Sequence, residues 1–111
     1  MEGGGDERSM LSGYRVLDIT DQRGHLTGLM LSMLGAEVIK VEPPGGVATR
    51  NVGPFNHSGV SLAHLAYDRG KKSVVVDLES ARGRDLLLDL VEGSDCLIDS
   101  QGAGVLRGLG L

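Results

Sequence analysis

Polar and small residues cluster at four points of the sequence, each directly after a segment with the pattern of a β-strand. These points are Thr20 to Gly24, Glu42 to Gly46, Asp77 to Ser80 and Asp99 to Gly102. Parallel sheets bind ligands outside the carboxyl ends of their strands, where such loops meet. The pattern favours a small-molecule site along one sheet edge, although strands of any α/β domain end in similar residues.

A nucleotide site is the first specific chemistry to test. Glu42 follows Gly24 at about the spacing at which an acid accepts from a ribose hydroxyl in dinucleotide-binding folds. The turn after the first strand reads DQRGHLTG, however, which gives G-x-x-x-G in place of G-x-G-x-x-G. An NAD site is therefore disfavoured. No glycine-rich turn leads into Gly-Lys-Ser/Thr, as a P-loop would require.

The histidines and the cysteine form neither a metal pattern nor a nucleophile pattern. His57 and His64 have no cysteine or paired acid at ligand spacing, and His25 lies far from both in the chain. We expect no metal site and assign the histidines surface or partly buried structural roles. Cys96 lies in the apolar run CLI, which predicts packing in the core. No G-x-S-x-G turn indicates a serine nucleophile.

The remaining charged residues have structural interpretations, and none is assigned a catalytic role. Asp18 and Asp77 stand at strand ends, where caps and turns are usual. Lys71 and Lys72 precede a strand, and a surface turn is favoured over a phosphate site. Three acids are expected on the solvated face of a helix, namely Asp85, Asp89 and Glu92.

Strand and helix patterns alternate along the chain. Strands are predicted in YRVLDIT, AEVIKVE, KSVVVDL and DCLID, the third of them as a buried apolar run. The first helix is predicted to bury one apolar face and to stop at Gly35. That face consists of Leu26, Leu29, Met30 and Met33. The alternation indicates an α/β fold with a mostly parallel sheet.

Three further elements complete this prediction. A long loop spans Pro43 to Gly59, and a short helix follows from Ser61 to Tyr67. The segment SARGRDLLLDLVEG predicts a helix with Ser80 as its N-cap and Gly93 as its stop. A last helix or turn is expected in GVLRGLGL.

Composition limits the class of protein. The chain has 111 residues, of which 41% are hydrophobic, which is enough for one modest domain. A net charge of −4 argues against nucleic acid as a partner. No apolar run approaches the roughly 18 residues that span a membrane, and the single cysteine fits a reducing compartment. We expect a cytoplasmic protein with a flexible leader at 1–10 and the domain at 11–111.

Six segments, taken in order, resemble the opening of the family III CoA-transferases. They are YRVLDIT, LGAEVIKVEPPGG, GPF, DRGKKSVVVDL, GRDLLLDLVEGSDCLID and GVLRGLGL. The resemblance runs from about Gly13 to Leu111. It implies a Rossmann-like sheet with flanking helices that forms the amino-terminal part of a larger domain, and an interlocked homodimer.

The resemblance also implies the chemistry. Family members transfer CoA between an acyl-CoA and a small carboxylic acid through an aspartyl intermediate, which divides a difficult acyl exchange into easier steps. Neither that aspartate nor the His and Asp of the family's acyl-CoA racemases matches a residue here, so the chain alone is expected to be inactive. The positions that match the family's CoA site are Gln22, Arg23, Gly24, Val76, Asp77, Leu78, Glu79, Ser100, Gln101 and Gly102.

Several of these positions depart from the family's pattern. Members usually carry Ala-Gly-Pro after the first strand and Glu-Asn-Phe-Arg-Pro-Gly after the fourth, whereas this chain has RGHLTG and DSQGAG. An arginine that often precedes the closing Leu-Gly is replaced by Gly108. Three interpretations stay open: a transferase segment, an acyl-CoA racemase segment, and a degenerate non-catalytic scaffold or dimerisation module. The chain is expected to be a fragment or one half of a tandem protein.

Overall fold

The computed structural model describes residues 9–111, which form an open, parallel, four-stranded sheet flanked by helices. The strands are β1 (Arg15–Ile19), β2 (Glu37–Glu42), β3 (Lys72–Val75) and β4 (Cys96–Asp99), in the spatial order β3-β2-β1-β4. The helices are α1 (His25–Met33), α2 (Leu62–Tyr67), α3 (Ala81–Glu92) and α4 (Val105–Gly108). The predicted α/β fold with a parallel sheet is confirmed.

The connections are those that the sequence predicts, with one addition. A short 3-10 helix, Ala48–Asn51, interrupts the long loop after β2. Residues 1–8 of the predicted leader lie outside the described residues, and Ser9 begins a turn closed by the bond from Ser12 N to Ser9 O at 3.2 Å. No helix among residues 9–111 combines the length and the apolar character that crossing a membrane requires.

The larger apolar core cluster lies on the side of the sheet that α3 covers, and a smaller one, formed by Val16, Ala36 and Val38, lies on the opposite face. The buried members of the larger cluster are Leu17, Ile19, Val41, Val76 and Leu87. Because strand side chains alternate between faces, the apolar odd-numbered residues of β1 and β2 supply this cluster. The even-numbered ones point to the opposite face.

The opposite face of the sheet carries charge in its centre. Asp18 of β1 and Lys40 of β2 are register partners, and their side chains are 0% and 2% exposed. Asp18 was predicted to serve as a cap or turn at a strand end. It does accept from Thr20 N at 2.9 Å, but it also belongs to a buried ionic cluster.

This charged face explains why the predicted buried stripe of α1 is wrong. Of that stripe only Leu29 is buried, while Leu26, Met30 and Met33 are at least half exposed. The helix instead turns His25, Gly28 and Ser32 inward together with Leu29. Small and polar residues are needed on this side of α1 because the helix packs against charged side chains. A Cβ added to Gly28 would lie 2.3 Å from Asp18 Oδ2.

Two further burial predictions are wrong because they fall on the edges of this sheet. Within residues 9–111, β3 pairs with β2 alone, and Val75 is 60% exposed, so KSVVVDL is not a buried run. In that segment Val76, just beyond the strand, is the buried residue. Cys96 lies at the start of β4, on the other edge, and is exposed where core packing was predicted.

Lys71 does not occupy the surface turn that was predicted for it. Its side chain is 1% exposed and forms ion pairs with Asp18 and Asp68, whereas the side chain of the neighbouring Lys72 is 69% exposed. His25 is also buried, and its ring stacks on Tyr67 at a centroid distance of 4.3 Å. Burial lowers the pKa of His25, which favours the neutral ring.

Candidate functional site

The carboxyl ends of the strands meet at one pocket of about 680 Å³. Volumes of this size are typical of small-molecule sites. The pocket is lined by residues from the ends of β1 and β2, from the segment after β3, and from the loop and helix after β4. These residues are Ile19, Thr20, Asp21, Val41, Glu42, Pro43, Pro44, Val47, Ala48, Val76, Asp77, Leu78, Glu79, Gln101, Val105 and Leu109.

Half of the ten positions that match the family's CoA site in the sequence line this pocket. Val76, Asp77, Leu78, Glu79 and Gln101 line it. The other five lie nearby without lining it: Gln22, Arg23, Gly24, Ser100 and Gly102. The loop after β1 carries the first three, and its Asp21, which the sequence argument did not single out, reaches the pocket instead.

The pocket has an apolar floor and an acidic rim. Ile19, Val41 and Val76 are buried core residues whose outer ends form the floor. Four lining residues carry carboxylates (Asp21, Glu42, Asp77 and Glu79), of which Asp21 and the buried Glu42 are each paired with an arginine. None of the lining residues from the described part of the chain is itself Lys or Arg. Such a lining favours a neutral, partly apolar group and disfavours a phosphate at the floor.

Asp21 is held by the loop on which it lies. Its carboxylate accepts from Arg23 Nη2 at 2.8 Å and from Arg23 N at 2.9 Å. The Ser100 hydroxyl donates to Asp21 Oδ1 at 3.1 Å, which links the ends of β1 and β4. The hydrogen bond from the Arg23 guanidinium lowers the pKa of Asp21 well below its usual range. Arg23 and Ser100 therefore shape the pocket through Asp21.

Glu42 has a structural task at the same edge. Arg50 donates to both carboxylate oxygens, at 2.5 and 2.7 Å, and Val47 N donates to Oε1 at 3.1 Å. Ser73 Oγ donates to the other oxygen. Arg50 is the main reason that the pKa of Glu42 is lowered to about 2. With both oxygens engaged, Glu42 holds the loop after β2 against the pocket and is not presented as a ribose acceptor.

The segment after β3 forms one wall, and its conformation is fixed by the start of α3. Val76 N donates to Glu42 O at 2.8 Å, which extends the ladder by one residue. Asp77 Oδ1 accepts from Glu79 N at 3.0 Å, the turn role that the sequence predicts. Arg84 Nη1 donates to Leu78 O at 3.1 Å. The side chain of Arg84 in α3 therefore holds the backbone of this wall.

Ser80 joins this wall to α3 by two hydrogen bonds. Its hydroxyl accepts from Gly83 N and donates to Asp77 O, both at 2.9 Å, which confirms the predicted N-cap. We expect Ser80→Ala to lower the free energy of unfolding by about 1 kcal/mol, since an N-cap contributes about that much. Urea unfolding followed by circular dichroism measures the change. Ser80→Asn, which keeps a capping oxygen, should restore most of it, and an equal loss in both variants would contradict the capping role.

Comparison with known proteins identifies the family of this site. The family model described as CoA-transferase family III matches residues 11–111. The chain belongs to CoA-transferase family III. No group of three or more His, Cys, Asp or Glu with metal-site geometry occurs in the described part of this family III chain.

Several proteins of the family are similar to this chain. Over 104 residues it is 45% identical to the succinyl-CoA:(R)-benzylsuccinate CoA-transferase subunit BbsE of Thauera aromatica, covering 90% of the chain and 25% of that protein. The solved structure of Rv3272 from Mycobacterium tuberculosis matches with a TM-score of 0.83 and 40% identity, over 93% of this chain and 28% of that one. A CAIB/BAIF family protein from Brucella suis gives a TM-score of 0.85 and 35% identity, over 93% and 29%.

The chain thus spans about a quarter of the length of these family III relatives. The resemblance read from six sequence segments is confirmed, and so is the fold that it implied. Relatives named as CoA-transferases support CoA transfer as the reaction of the family.

Sequence reasoning missed two parts of the pocket: one from the loop after β2, and one from α4 and the residue that follows it. Val47 and Ala48 reach it because Glu42 and Arg50 hold the loop after β2, which depends on an ion pair between residues eight positions apart. Val105 and Leu109 also line the pocket. Gly104 precedes this helix with a φ of +84°, a conformation that glycine tolerates. The glycine-rich DSQGAG was the available signal for this sharp turn.

Proposed function

We propose that this chain is the amino-terminal, Rossmann-like part (residues 11–111) of a CoA-transferase, and that its pocket holds part of the CoA of an acyl-CoA. The observation that carries the proposal is an apolar-floored pocket of about 680 Å³ at the carboxyl edge of the sheet. The strand-end segments that line it belong to the region matching family III.

The charge of the lining selects which part of CoA enters. CoA carries several negative charges on its phosphates, and the pocket lining is itself acidic. The neutral adenine ring fits the apolar floor, and its exocyclic amine can donate to a rim carboxylate such as Asp77. The phosphates would then lie outside the rim, on the side where the exposed Arg23 stands.

The complete protein would exchange CoA between an acyl-CoA and a small carboxylic acid. In this proposal the aspartate that forms the covalent intermediate is not among residues 1–111, and the chain alone is inactive. The homodimer is a further part of what the family resemblance implies, and the cytoplasmic location is proposed from the composition of the chain. An acyl-CoA racemase of the same family is the alternative to the transferase. An enzyme-like rate of CoA exchange by the 111-residue chain would contradict the proposed inactivity.

A non-catalytic scaffold or dimerisation module is the second candidate. Two observations favour it: within residues 9–111 no Lys or Arg lines the pocket, and α1 exposes Leu26, Met30 and Met33 on one face. A module of this kind would keep the fold and have no measurable affinity for CoA.

Calorimetric titration with CoA separates the two candidates. We expect the chain to bind CoA and Ala48→Phe to weaken binding at least about tenfold, because Ala48 is exposed and its new ring would fill the pocket. Ala66→Phe places the same ring at an exposed position of α2 that does not line the pocket, and should bind as the wild type does. Absence of heat at millimolar CoA would favour the scaffold.

A further inference from the structure

Four charged side chains form a buried cluster between the sheet and α1, and none of them lines the pocket. We call Asp18, Lys40, Asp68 and Lys71 the charged quartet. Lys71 Nζ lies 2.7 Å from Asp18 Oδ2 and 2.8 Å from Asp68 Oδ1. Lys40 Nζ lies 3.2 Å from Asp68 Oδ1 and 3.9 Å from Asp18 Oδ1. The four side chains are at most 2% exposed, and their formal charges cancel.

The quartet joins segments that are far apart in sequence. Asp18 and Lys40 lie opposite each other on β1 and β2, while Asp68 and Lys71 lie between α2 and β3. Burial opposes ionisation of Asp68, but the hydrogen bond from Lys71 and the charge of Lys40 outweigh it, so the pKa of Asp68 is lowered. This direction favours the ionised carboxylate of Asp68, which lies at ion-pair distance from both lysines.

Stability alone does not explain such a cluster. Replacing a buried ion pair by apolar residues of similar volume is often neutral or stabilising, since desolvation offsets the attraction between the charges. The contacts that the quartet makes with backbone atoms give a better explanation.

These backbone contacts lie at both ends of residues 20–25, which are the loop after β1 together with the first residue of α1; we call this segment loop 20–25. Lys40 Nζ donates to Thr20 O at 2.9 Å, and Asp18 Oδ1 accepts from Thr20 N at 2.9 Å. Lys71 Nζ donates to His25 O, also at 2.9 Å, where α1 begins. The loop held between these points carries Asp21, which lines the pocket, together with its partner Arg23.

The quartet also determines how closely α1 approaches the sheet. A Cβ on Gly28 would lie 2.9 Å from Lys71 Cε and closer still to Asp18 Oδ2, so the helix backbone rests on these two side chains. Because α1 continues directly from the loop, its position sets that of the loop's last residues.

We propose that the charged quartet is a positioning device that fixes loop 20–25 in the conformation that lines the pocket. The quartet acts on the ligand only through this loop, and none of its members contacts the pocket. The loop-positioning role is independent of which ligand binds, whereas its effect on CoA affinity rests on the proposed function.

The test is a double variant, Asp18→Leu with Lys71→Met, in the 111-residue chain. It removes one aspartate and one lysine, so the remaining Lys40–Asp68 pair stays neutral and the stability should stay near that of the wild type. Hydrogen exchange by mass spectrometry compares residues 21–25 with β2. We expect the loop amides to exchange at least about tenfold faster while those of β2 are unchanged, because the opening is local.

The matched control is Lys72→Met, which makes the same change at the neighbouring exposed lysine and should leave loop exchange unchanged. CoA affinity should fall at least about tenfold in the double variant and stay constant in the control. Unchanged loop exchange in a folded double variant would overturn the proposal, and so would equal acceleration in the loop and in β2. If the wild-type chain does not bind CoA in the titration, the proposed function is wrong. The hydrogen-exchange comparison would still test whether the quartet positions the loop.

Discussion

Gly83→Ala is expected to lower the free energy of unfolding by about 3 kcal/mol or more, a large loss for a methyl group. A Cβ on Gly83 would lie 1.7 Å from the Asp77 carbonyl oxygen and 2.5 Å from its carbon. Overpacking costs about 1–3 kcal/mol when side chains can adjust, and here the opposing atoms are backbone. Relief requires the first turn of α3 to separate from the pocket wall.

The same displacement should affect the ligand. Ser80 and Arg84 hold Asp77 and Leu78 by hydrogen bonds that depend on the close approach of α3. If Gly83→Ala folds, its CoA affinity should therefore fall as well. Calorimetry on the folded fraction measures that loss separately from stability.

Gly108→Ala is the matched control for Gly83→Ala. Gly108 also lies in a helix, and a Cβ there meets no atom within 4 Å. Alanine is favoured over glycine in helices by about 0.5–1 kcal/mol, so this variant should be neutral or slightly more stable. Urea unfolding followed by far-ultraviolet circular dichroism suits a chain without tryptophan. Equal midpoints for the two variants would contradict the steric argument.

The elements of this fold were predictable where local signals decide them. Ser80 and Gly93 bound a helix that spans Ala81–Glu92 in the structure, because capping depends on residues close in sequence. The strand β2 likewise ends before two prolines, as expected for a segment that cannot continue the ladder.

Burial was less predictable because it depends on what lies opposite an element. Periodicity showed that α1 has an apolar stripe, but it did not show that the facing strands present Asp18 and Lys40. The quartet comes from parts of the chain up to 53 positions apart, a separation visible between Asp18 and Lys71. Edge position similarly exposes Val75 and Cys96, and strand order is a property of the whole sheet.

The sequence predicted at which edge of the sheet the candidate site lies, but it predicted fewer of the residues that line the site. The carboxyl ends of parallel strands meet by geometry, so the four loops were found from the strand pattern. Which side chains line the pocket depends on ion pairs such as Asp21–Arg23. In that pair Asp21 lines the pocket and Arg23 lies outside it. Such pairs form only when the loop adopts its folded conformation, so the sequence alone does not predict them.

Arg50→Gln is expected to lower the free energy of unfolding at pH 7 by about 2–3 kcal/mol. Removing one partner of a buried ion pair costs about 3–5 kcal/mol, and solvent at Arg50, whose side chain is 39% exposed, reduces that figure. Glu42, 1% exposed, would keep only Ser73 and Val47 N as donors. The loop after β2, with Val47 and Ala48, should loosen at the pocket.

The destabilisation by Arg50→Gln should depend on pH in a defined direction. The folded-state pKa of Glu42 is lowered from 4.5 to about 2, so its contribution is complete above pH 4.5 and is lost as the pH falls toward 2. The stability difference between wild type and Arg50→Gln should therefore shrink to below about 1 kcal/mol near pH 2.5. Urea unfolding at both pH values measures it, with Arg69→Gln, a change at an exposed arginine, as the control. A difference that stays constant with pH would show that Arg50 acts through packing and not through the charge of Glu42.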